Sequence, residues 1–147
     1  MGVAYGLGQA YPRALTIAGS DSGGGAGIQA DLKTFAALGA YGTSVITAIT
    51  AQNTFGVQKV MVVTPDMIEA QCSAVMSDYS VLMRSKIGML ADIESIRVVA
   101  ESLQQFHLPF TVLDPVMVAT SGFGTVYRKY RASYEANAYA ACRYTYS

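Results

Sequence analysis

A run of glycines joins a buried-strand pattern to a helical pattern near the start of the chain. The stretch AGSDSGGGAGIQADLKTF, residues 18–35, places five glycines between Gly19 and Gly27. The apolar segment ALTIAG, which overlaps its start, is typical of a short buried strand. After the glycines, apolar residues recur at helical spacing until Gly39, a residue type that often ends a helix. The pattern predicts a tight turn from strand to helix, in which glycine allows close backbone approach.

Strand and helix patterns alternate along the rest of the chain. Short β-branched or apolar runs predict strands at residues 43–50, 57–63, 85–90 and 110–115. Helices are predicted after Thr64 and after a capping Asp92, the latter with an apolar stripe that begins at Ile93. This alternation is typical of an α/β fold with a mainly parallel sheet and helices on both faces. We expect the sheet to end at the 110–115 strand.

Composition excludes several classes of protein. The chain has 147 residues and a formal net charge of zero, so no basic surface for nucleic acid or for an anionic membrane is expected. No apolar run is long enough to cross a membrane, and the first residues lack the basic region of a signal peptide. Gly6 stands where N-myristoylation needs Ser or Thr, and two cysteines imply no disulfide framework. We expect a cytoplasmic enzyme or a part of one.

The glycine run fits neither common nucleotide motif. Gly19 and Gly24 have the spacing of a Walker A loop, but Gly25 stands where that loop needs lysine. A dinucleotide fingerprint placed on residues 25–30 lacks the acidic residue that should follow the second strand. A tight turn accounts for one or two of the glycines. The interpretation we favour is a turn that exposes backbone N–H groups at a helix N-terminus to a small ligand.

Four side chains are candidates for ligand binding, one a turn inside the first helix and three near predicted strand ends. Asp31 is either an exposed helix acid or a carboxylate that binds a ligand hydroxyl. Gln52 suits a heterocycle with an amino group beside a ring nitrogen, although it could only cap its strand. Met89 could cover an aromatic ligand or lie in the core. Asp114 could hold a magnesium–water shell near phosphates, or form a turn with the proline after it.

Other polar residues give weaker signals. Lys86 and the Ser121-Gly122 pair could approach phosphate, although solvated loop residues are commoner. His107 ends an amphipathic helix, where a surface role is expected, and Cys72 lies on an apolar helix face and is expected in the core. The sequence shows no Ser/His/Asp arrangement, metal cluster or CxxC motif.

Three longer segments carry a family resemblance. ALTIAGSDSGGGAGIQADLKTFAALGAYGTSVITAITAQNTFGVQ, KIGML and VLDPVMVATSG closely resemble the hydroxymethylpyrimidine/phosphomethylpyrimidine kinases of thiamine biosynthesis, in the ribokinase-like superfamily. The resemblance runs from about Ala14 to Gly122. It implies that 4-amino-5-hydroxymethyl-2-methylpyrimidine, and then its monophosphate, is phosphorylated with ATP and Mg²⁺. It also implies a homodimer for full-length members.

The resemblance also implies roles for single residues. The glycine turn would be a substrate turn rather than a nucleotide loop. Gln52 would bind the amino edge of the pyrimidine, Met89 would pack on the ring, and Asp31 would lie beside the substrate. Backbone contacts are implied at Gly19, Ala26 and Val116.

The end of the chain departs from the family. Residues 1–13 are interpreted as an extension, residues 14–122 as the N-terminal part of the kinase domain, and residues 123–147 as an aberrant tail. After Val126 the tail contains no Val, Ile, Leu, Met or Phe. Its codons, read one nucleotide later, are compatible with a family-like strand, so we hypothesise a frameshift near residues 122–125. The family's catalytic and nucleotide-binding residues would follow this point, so we expect little or no turnover from the chain as written.

Two other functions remain open at this stage. A pyridoxal or pyridoxine kinase handles a similar hydroxymethyl heterocycle, and competition between the two substrates would distinguish it. A non-catalytic pyrimidine-binding remnant would bind the heterocycle without hydrolysing ATP.

Overall fold

A six-stranded sheet is the frame of the structure. The computed structural model describes residues 11–79, 84–108, 110–114 and 144–145. Its elements are β1 (Arg13–Asp21), α1 (Gly27–Ala37), β2 (Tyr41–Asn53), β3 (Gly56–Val62), α2 (Pro65–Tyr79), β4 (Arg84–Ile87), α3 (Ile93–Phe106), β5 (Phe110–Leu113) and β6 (Tyr144–Thr145). The strand order is β3-β2-β1-β4-β5-β6. All neighbours pair in parallel except β2 and β3, so the predicted mainly parallel α/β fold is confirmed.

The two faces of the sheet are covered by different helices. Side chains alternate along β1, so Leu15 and Ile17 share one face. They join the hydrophobic core built with α2 and α3, whose largest fully buried members include Ile68 and Ile96. On the opposite face, the Thr16 hydroxyl contacts α1. Helices therefore lie on both faces, as the alternating pattern predicted.

Helix α1 lies close to the sheet because β2 carries a glycine beneath it. A Cβ atom on Gly42 would lie 2.8 Å from Leu32 Cδ2 and 3.1 Å from Phe35 Cδ2. The helix ends as predicted, because Gly39 adopts a φ of 72° and the N–H of Ala40 donates to the Phe35 carbonyl at 2.8 Å.

Helix α3 begins at the predicted cap. The Asp92 side chain accepts a hydrogen bond from the Ser95 N–H at 2.8 Å. The predicted apolar stripe is buried from Ile96 to Leu103 and partly buried at Phe106, but Ile93 is 40% exposed. Its first member is therefore outside the core, since the first residue of α3 in the buried cluster is Ile96. Among the described residues, none of the helices is long and apolar enough to cross a membrane.

Four details of the predicted sheet need correction. Strand β4 ends at Ile87 rather than at residue 90, and β5 ends at Leu113. Strand β3 is an antiparallel edge strand. The sheet does not end at β5, since Tyr144–Thr145 pairs with it in parallel. Its partner residues are Val112 and Leu113, so the tail supplies the strand that the sequence did not predict.

Candidate functional site

Most of the predicted site residues lie at one edge of the sheet. Gly19 is near the end of β1, Gln52 is near the end of β2, and Met89 and Asp114 follow β4 and β5. The C-terminal ends of parallel strands meet at the same edge, where open α/β sheets bind ligands. Ala26 directly precedes α1, which starts at this edge. Val116 lies outside the described residues.

The glycine turn is closed by a side chain of the chain itself. Asp21 Oδ1 accepts from the Gly23 N–H at 2.8 Å. Asp21 Oδ2 accepts from Gly25 at 3.0 Å and from Ala26 at 2.9 Å. The Gly24 N–H donates to the Asp21 carbonyl at 2.9 Å. For these four turn residues the expectation of N–H groups exposed to a ligand is therefore wrong, because a buried carboxylate accepts three of the groups and the Asp21 backbone the fourth. Helix α1 itself begins at Gly27 without a side-chain cap.

Two glycines of the turn are required for steric reasons. Gly27 has a φ of 56°, and a Cβ atom there would overlap the carbonyl oxygen of Gly19. Gly24 has a φ of 75°, and its carbonyl accepts from Lys33 Nζ at 2.8 Å. Backbone packing between α1 and β1 therefore accounts for more of the glycine cluster than the sequence suggested.

Asp31 is held against the sheet rather than exposed on its helix. Its side chain is 17% exposed. Oδ2 accepts from the Thr16 hydroxyl at 2.6 Å and from Lys86 Nζ at 3.3 Å. Lys86 Nζ also lies 3.6 Å from Asp114 Oδ2. The alternative of an exposed helix acid is thus wrong, and Lys86 is a strand residue between two carboxylates rather than a solvated loop residue.

Hydrogen bonds fix the backbone of Gln52, whereas its side-chain amide is not fully hydrogen-bonded within the described residues. The Ser22 hydroxyl accepts from the Gln52 N–H and donates to the Gln52 carbonyl, both at 2.7 Å. The side-chain Oε1 has one long contact, 3.4 Å from the Thr50 hydroxyl. That hydroxyl also lies 2.7 Å from the Ser20 carbonyl, which is the better acceptor. Within the described part of the chain, the Gln52 Nε2 group has no acceptor, so the amide is available to a ligand.

Gly19 and Met89 form an apolar contact at the same edge of the sheet. A Cβ atom on Gly19 would lie 2.7 Å from Met89 Cε, so only glycine leaves room for the methionine methyl group. The Met89 carbonyl accepts from the Thr47 hydroxyl at 2.9 Å, which fixes the backbone. Met89 is half-buried, a state compatible with a partly formed wall for a flat ligand.

Sequence reasoning missed three residues that shape the site, and it favoured a solvated loop setting for a fourth, Lys86. Asp21 and Ser22 had a local signal, because Asp or Ser beside glycines commonly bonds to nearby backbone. Thr16 had none, since its place beside Lys86 depends on the pairing of β1 with β4.

The described residues include neither a cluster of metal ligands nor a reactive thiol. The described residues contain no group of three or more His, Cys, Asp or Glu side chains placed to hold a metal ion. Cys72 lies on the buried face of α2 as expected, and burial raises the pKa of its thiol. It is therefore a core residue rather than a nucleophile.

Comparisons with known proteins identify the family. The model of the family described as phosphomethylpyrimidine kinase matches residues 21–141. The hydroxymethylpyrimidine/phosphomethylpyrimidine kinase of Salmonella typhimurium is 60% identical over 109 residues, which cover 74% of this chain and 41% of that protein. A probable bifunctional thiamine biosynthetic enzyme of rice is 58% identical over 112 residues, 76% of this chain and 20% of the rice protein.

Solved structures agree with this result. The crystal structure of phosphomethylpyrimidine kinase from Clostridium difficile superposes with a TM-score of 0.82 at 43% identity, covering 90% of this chain and 57% of that one. An ADP complex of Bacillus subtilis pyridoxal kinase gives a TM-score of 0.79 at 33% identity, covering 92% and 51%. The chain spans 41% of the length of its Salmonella relative. Because the family model matches most of this chain, the chain belongs to the phosphomethylpyrimidine kinase family.

Proposed function

We propose that this chain carries the pyrimidine-binding part of a kinase that phosphorylates 4-amino-5-hydroxymethyl-2-methylpyrimidine and its monophosphate with ATP. The observation that carries the proposal is that Gln52 and Met89 lie at or just beyond the carboxyl ends of the strands that flank β1, while the Asp31 carboxylate is held against the sheet under α1. An amide presents a donor and an acceptor together, which matches an aminopyrimidine edge. The thioether packs on the ring face. A carboxylate oxygen accepts from the hydroxymethyl group.

The closed glycine turn supports a substrate role for this edge. The Asp21 carboxylate lies directly before the N-terminal end of α1 and accepts from Gly25 and Ala26, so its negative charge disfavours phosphate there. The backbone contacts proposed for Gly19 and Ala26 are therefore to carbonyl or van der Waals surface rather than through the Ala26 N–H. Val116 keeps its proposed role from the family.

ATP and Mg²⁺ are proposed as the co-substrate and its ion. Asp114 is half-exposed at the end of β5, and Mg²⁺ in kinases is held by one or two carboxylates together with phosphate oxygens and water. A single carboxylate fits that arrangement and does not form a metal site alone. When bound, Mg²⁺ neutralises charge on the transferred phosphoryl group. A cytoplasmic location and a homodimer are proposed from the family alone.

Binding of the heterocycle tests the proposal without requiring turnover. Isothermal titration of this chain with 4-amino-5-hydroxymethyl-2-methylpyrimidine should show saturable binding. Gln52→Leu should weaken it by about tenfold or more, because the amide edge is lost. Gln58→Leu on the exposed face of β3 is the matched control and should have no effect.

The same titration distinguishes the alternatives. Pyridoxine binding tighter than the aminopyrimidine would favour a pyridoxal kinase, the activity named for several structural neighbours at 30–38% identity. The higher identity to pyrimidine kinases favours the first substrate. Absence of binding to either compound would overturn the proposed function. Pyrimidine binding with no phosphorylated product in ³¹P NMR, in the presence of ATP and Mg²⁺, would mark a binding remnant.

A further inference from the structure

The two oxygens of the Asp31 carboxylate have different surroundings. Oδ2 receives both hydrogen bonds, from the Thr16 hydroxyl at 2.6 Å and from Lys86 Nζ at 3.3 Å. Oδ1 has no hydrogen-bond partner in the part of the chain that the structure describes. One oxygen is thus anchored to the sheet, and the other is available to a ligand.

The anchoring donors come from paired positions on neighbouring strands. Thr16 of β1 pairs in register with Lys86 of β4, so their side chains leave the same face of the sheet. That face lies under α1, on which Asp31 stands one turn from the helix start. Thr16 is fully buried, so its hydroxyl has no water to replace the carboxylate. Breaking the hydrogen bond would leave this hydroxyl buried without a partner, which costs free energy, so the bond is retained.

We propose that Thr16 and Lys86 are positioning residues that fix the Asp31 side chain with Oδ1 directed at the hydroxyl group of the substrate. The short hydrogen bond from Thr16 sets the direction of the Asp31 carboxylate, and the Lys86 ammonium group places a positive charge beside it. Lys86 also lies 3.6 Å from Asp114, so one ammonium group links the substrate carboxylate to the strand-end carboxylate. The binding part of this inference rests on the proposed pyrimidine site, whereas the orientation of Asp31 can be measured without any ligand.

Thr16→Val tests the direction of the carboxylate. Valine has nearly the same shape, so the core is kept and the hydroxyl is lost. In the ligand-free chain, NMR three-bond couplings that report Asp31 χ1 should indicate one rotamer in the original protein and averaging in Thr16→Val. Thr16→Ser should restore the single rotamer. Thr111→Val is the matched control, because Thr111 is a buried threonine whose hydroxyl bonds to Ser85 at 2.7 Å on the other face.

A pair of ligands separates positioning from general stability. Thr16→Val should weaken binding of the 5-hydroxymethyl pyrimidine by about tenfold, the value of one hydrogen bond to a charged group. It should leave binding of the 5-methyl analogue, which has no hydroxyl, unchanged. Lys86→Met should also weaken binding of the 5-hydroxymethyl pyrimidine. Lys59→Met, on exposed β3, should leave this affinity unchanged. Thr111→Val should change neither affinity.

The outcomes distinguish this inference from the proposed function. If Asp31 keeps one rotamer in both Thr16→Val and Lys86→Met, the positioning role is overturned, whatever the chain binds. If both analogues lose affinity equally in Thr16→Val, the role is structural and the inference also fails. If the original chain binds neither pyrimidine, the proposed function fails, while the couplings still decide whether Thr16 and Lys86 orient Asp31.

Discussion

At the residue scale, the most consequential side chain is Asp21, which acts as an anion supplied by the protein itself. Its carboxylate accepts three backbone N–H groups of the glycine turn and is almost fully buried. Helix N-termini attract anions because their first N–H groups lack partners. Here the carboxylate accepts from the N–H groups of the turn that precedes the helix, while the N-cap residue Ala26 gives α1 no side-chain cap.

Asp21→Asn tests that role. Asparagine keeps one acceptor oxygen, but in either amide orientation its NH₂ group faces at least one N–H group of the turn, which then loses its acceptor, and the negative charge is lost. We expect a loss of about 2–3 kcal/mol in the free energy of unfolding, measured by urea denaturation. Asp78→Asn, at an exposed position late in α2, is the control and should change stability little. Equal stability of Asp21→Asn and the original chain would contradict the role given to this carboxylate.

Single-residue predictions from the sequence succeeded where the signal was local. The placement of Gln52, Met89 and Asp114 at strand ends follows from the order of strands and helices, and the structure places them at one edge. The exposure of Asp31 was not predictable, because its burial depends on Thr16 and Lys86, which are 15 and 55 positions away. No spacing rule links those positions without the register of β1 and β4.

At the element scale, β2 has an edge that β3 covers only in part. Strand β3 pairs with residues 48–53 of β2, so Ile46 lies beyond it. There the Gln71 side chain on α2 makes the backbone hydrogen bonds that a neighbouring strand would make. Its Oε1 accepts from the Ile46 N–H at 2.9 Å, and its Nε2 donates to the Ile46 carbonyl at 3.1 Å. The helix thereby satisfies both backbone groups of an open strand.

Gln71→Glu tests this contact. Glutamate has no donor for the Ile46 carbonyl and places negative charge beside it, although it can still accept from the N–H group. We expect a loss of about 1–3 kcal/mol in the free energy of unfolding, read by chemical denaturation. Amide hydrogen exchange at Ile46 should also become faster. Gln105→Glu on the exposed side of α3 is the matched control. Unchanged exchange at Ile46 would show that the side chain does not protect the strand.

Element types were predictable from periodicity, but strand direction was not. The residues Asn53-Thr54-Phe55-Gly56 form a two-residue hairpin, in which Asn53 pairs with Gly56 and Gly56 has a φ of 138°. Such a connection is too short for a parallel crossover, so β3 runs antiparallel to β2. The sequence contains this hairpin signal. The hairpin explains why the 57–63 strand is a half-exposed edge strand rather than a buried one.

At the scale of the whole molecule, the β3 edge is an exposed apolar surface. Ile49 and Met61 pair across β2 and β3 and are 44% and 57% exposed. An exposed apolar edge strand can pair with another chain, and a net charge of zero gives little repulsion between copies.

Met61→Lys should therefore reduce self-association. Sedimentation velocity at rising protein concentration should show a smaller weight-average mass for this variant than for the original chain. Gln58→Lys adds the same charge at a polar position of β3 and should have a weaker effect. If the two variants behave alike, net charge rather than the apolar edge governs association.

The origin of residues 123–147 is the last prediction, and it concerns the gene as well as the fold. The curated Salmonella and rice relatives match over 109 and 112 residues, whereas the family model extends to residue 141. The structure places Tyr144–Thr145 in parallel beside β5. These residues pair there without the aliphatic side chains that a strand in a parallel sheet normally buries.

We predict that the neighbouring reading frame, from about codon 122 onward, encodes an apolar strand at this position. Sequencing the gene from codon 115 past the stop, with translation in three frames, tests it. The control is the same translation of codons 14–113, where only the present frame should give family-like sequence. A confirmed DNA sequence whose other frames are interrupted by stops would contradict the frameshift. If the frame is confirmed, a chain with the restored strand should unfold at a higher urea concentration, because aliphatic residues would then cover the β5 edge.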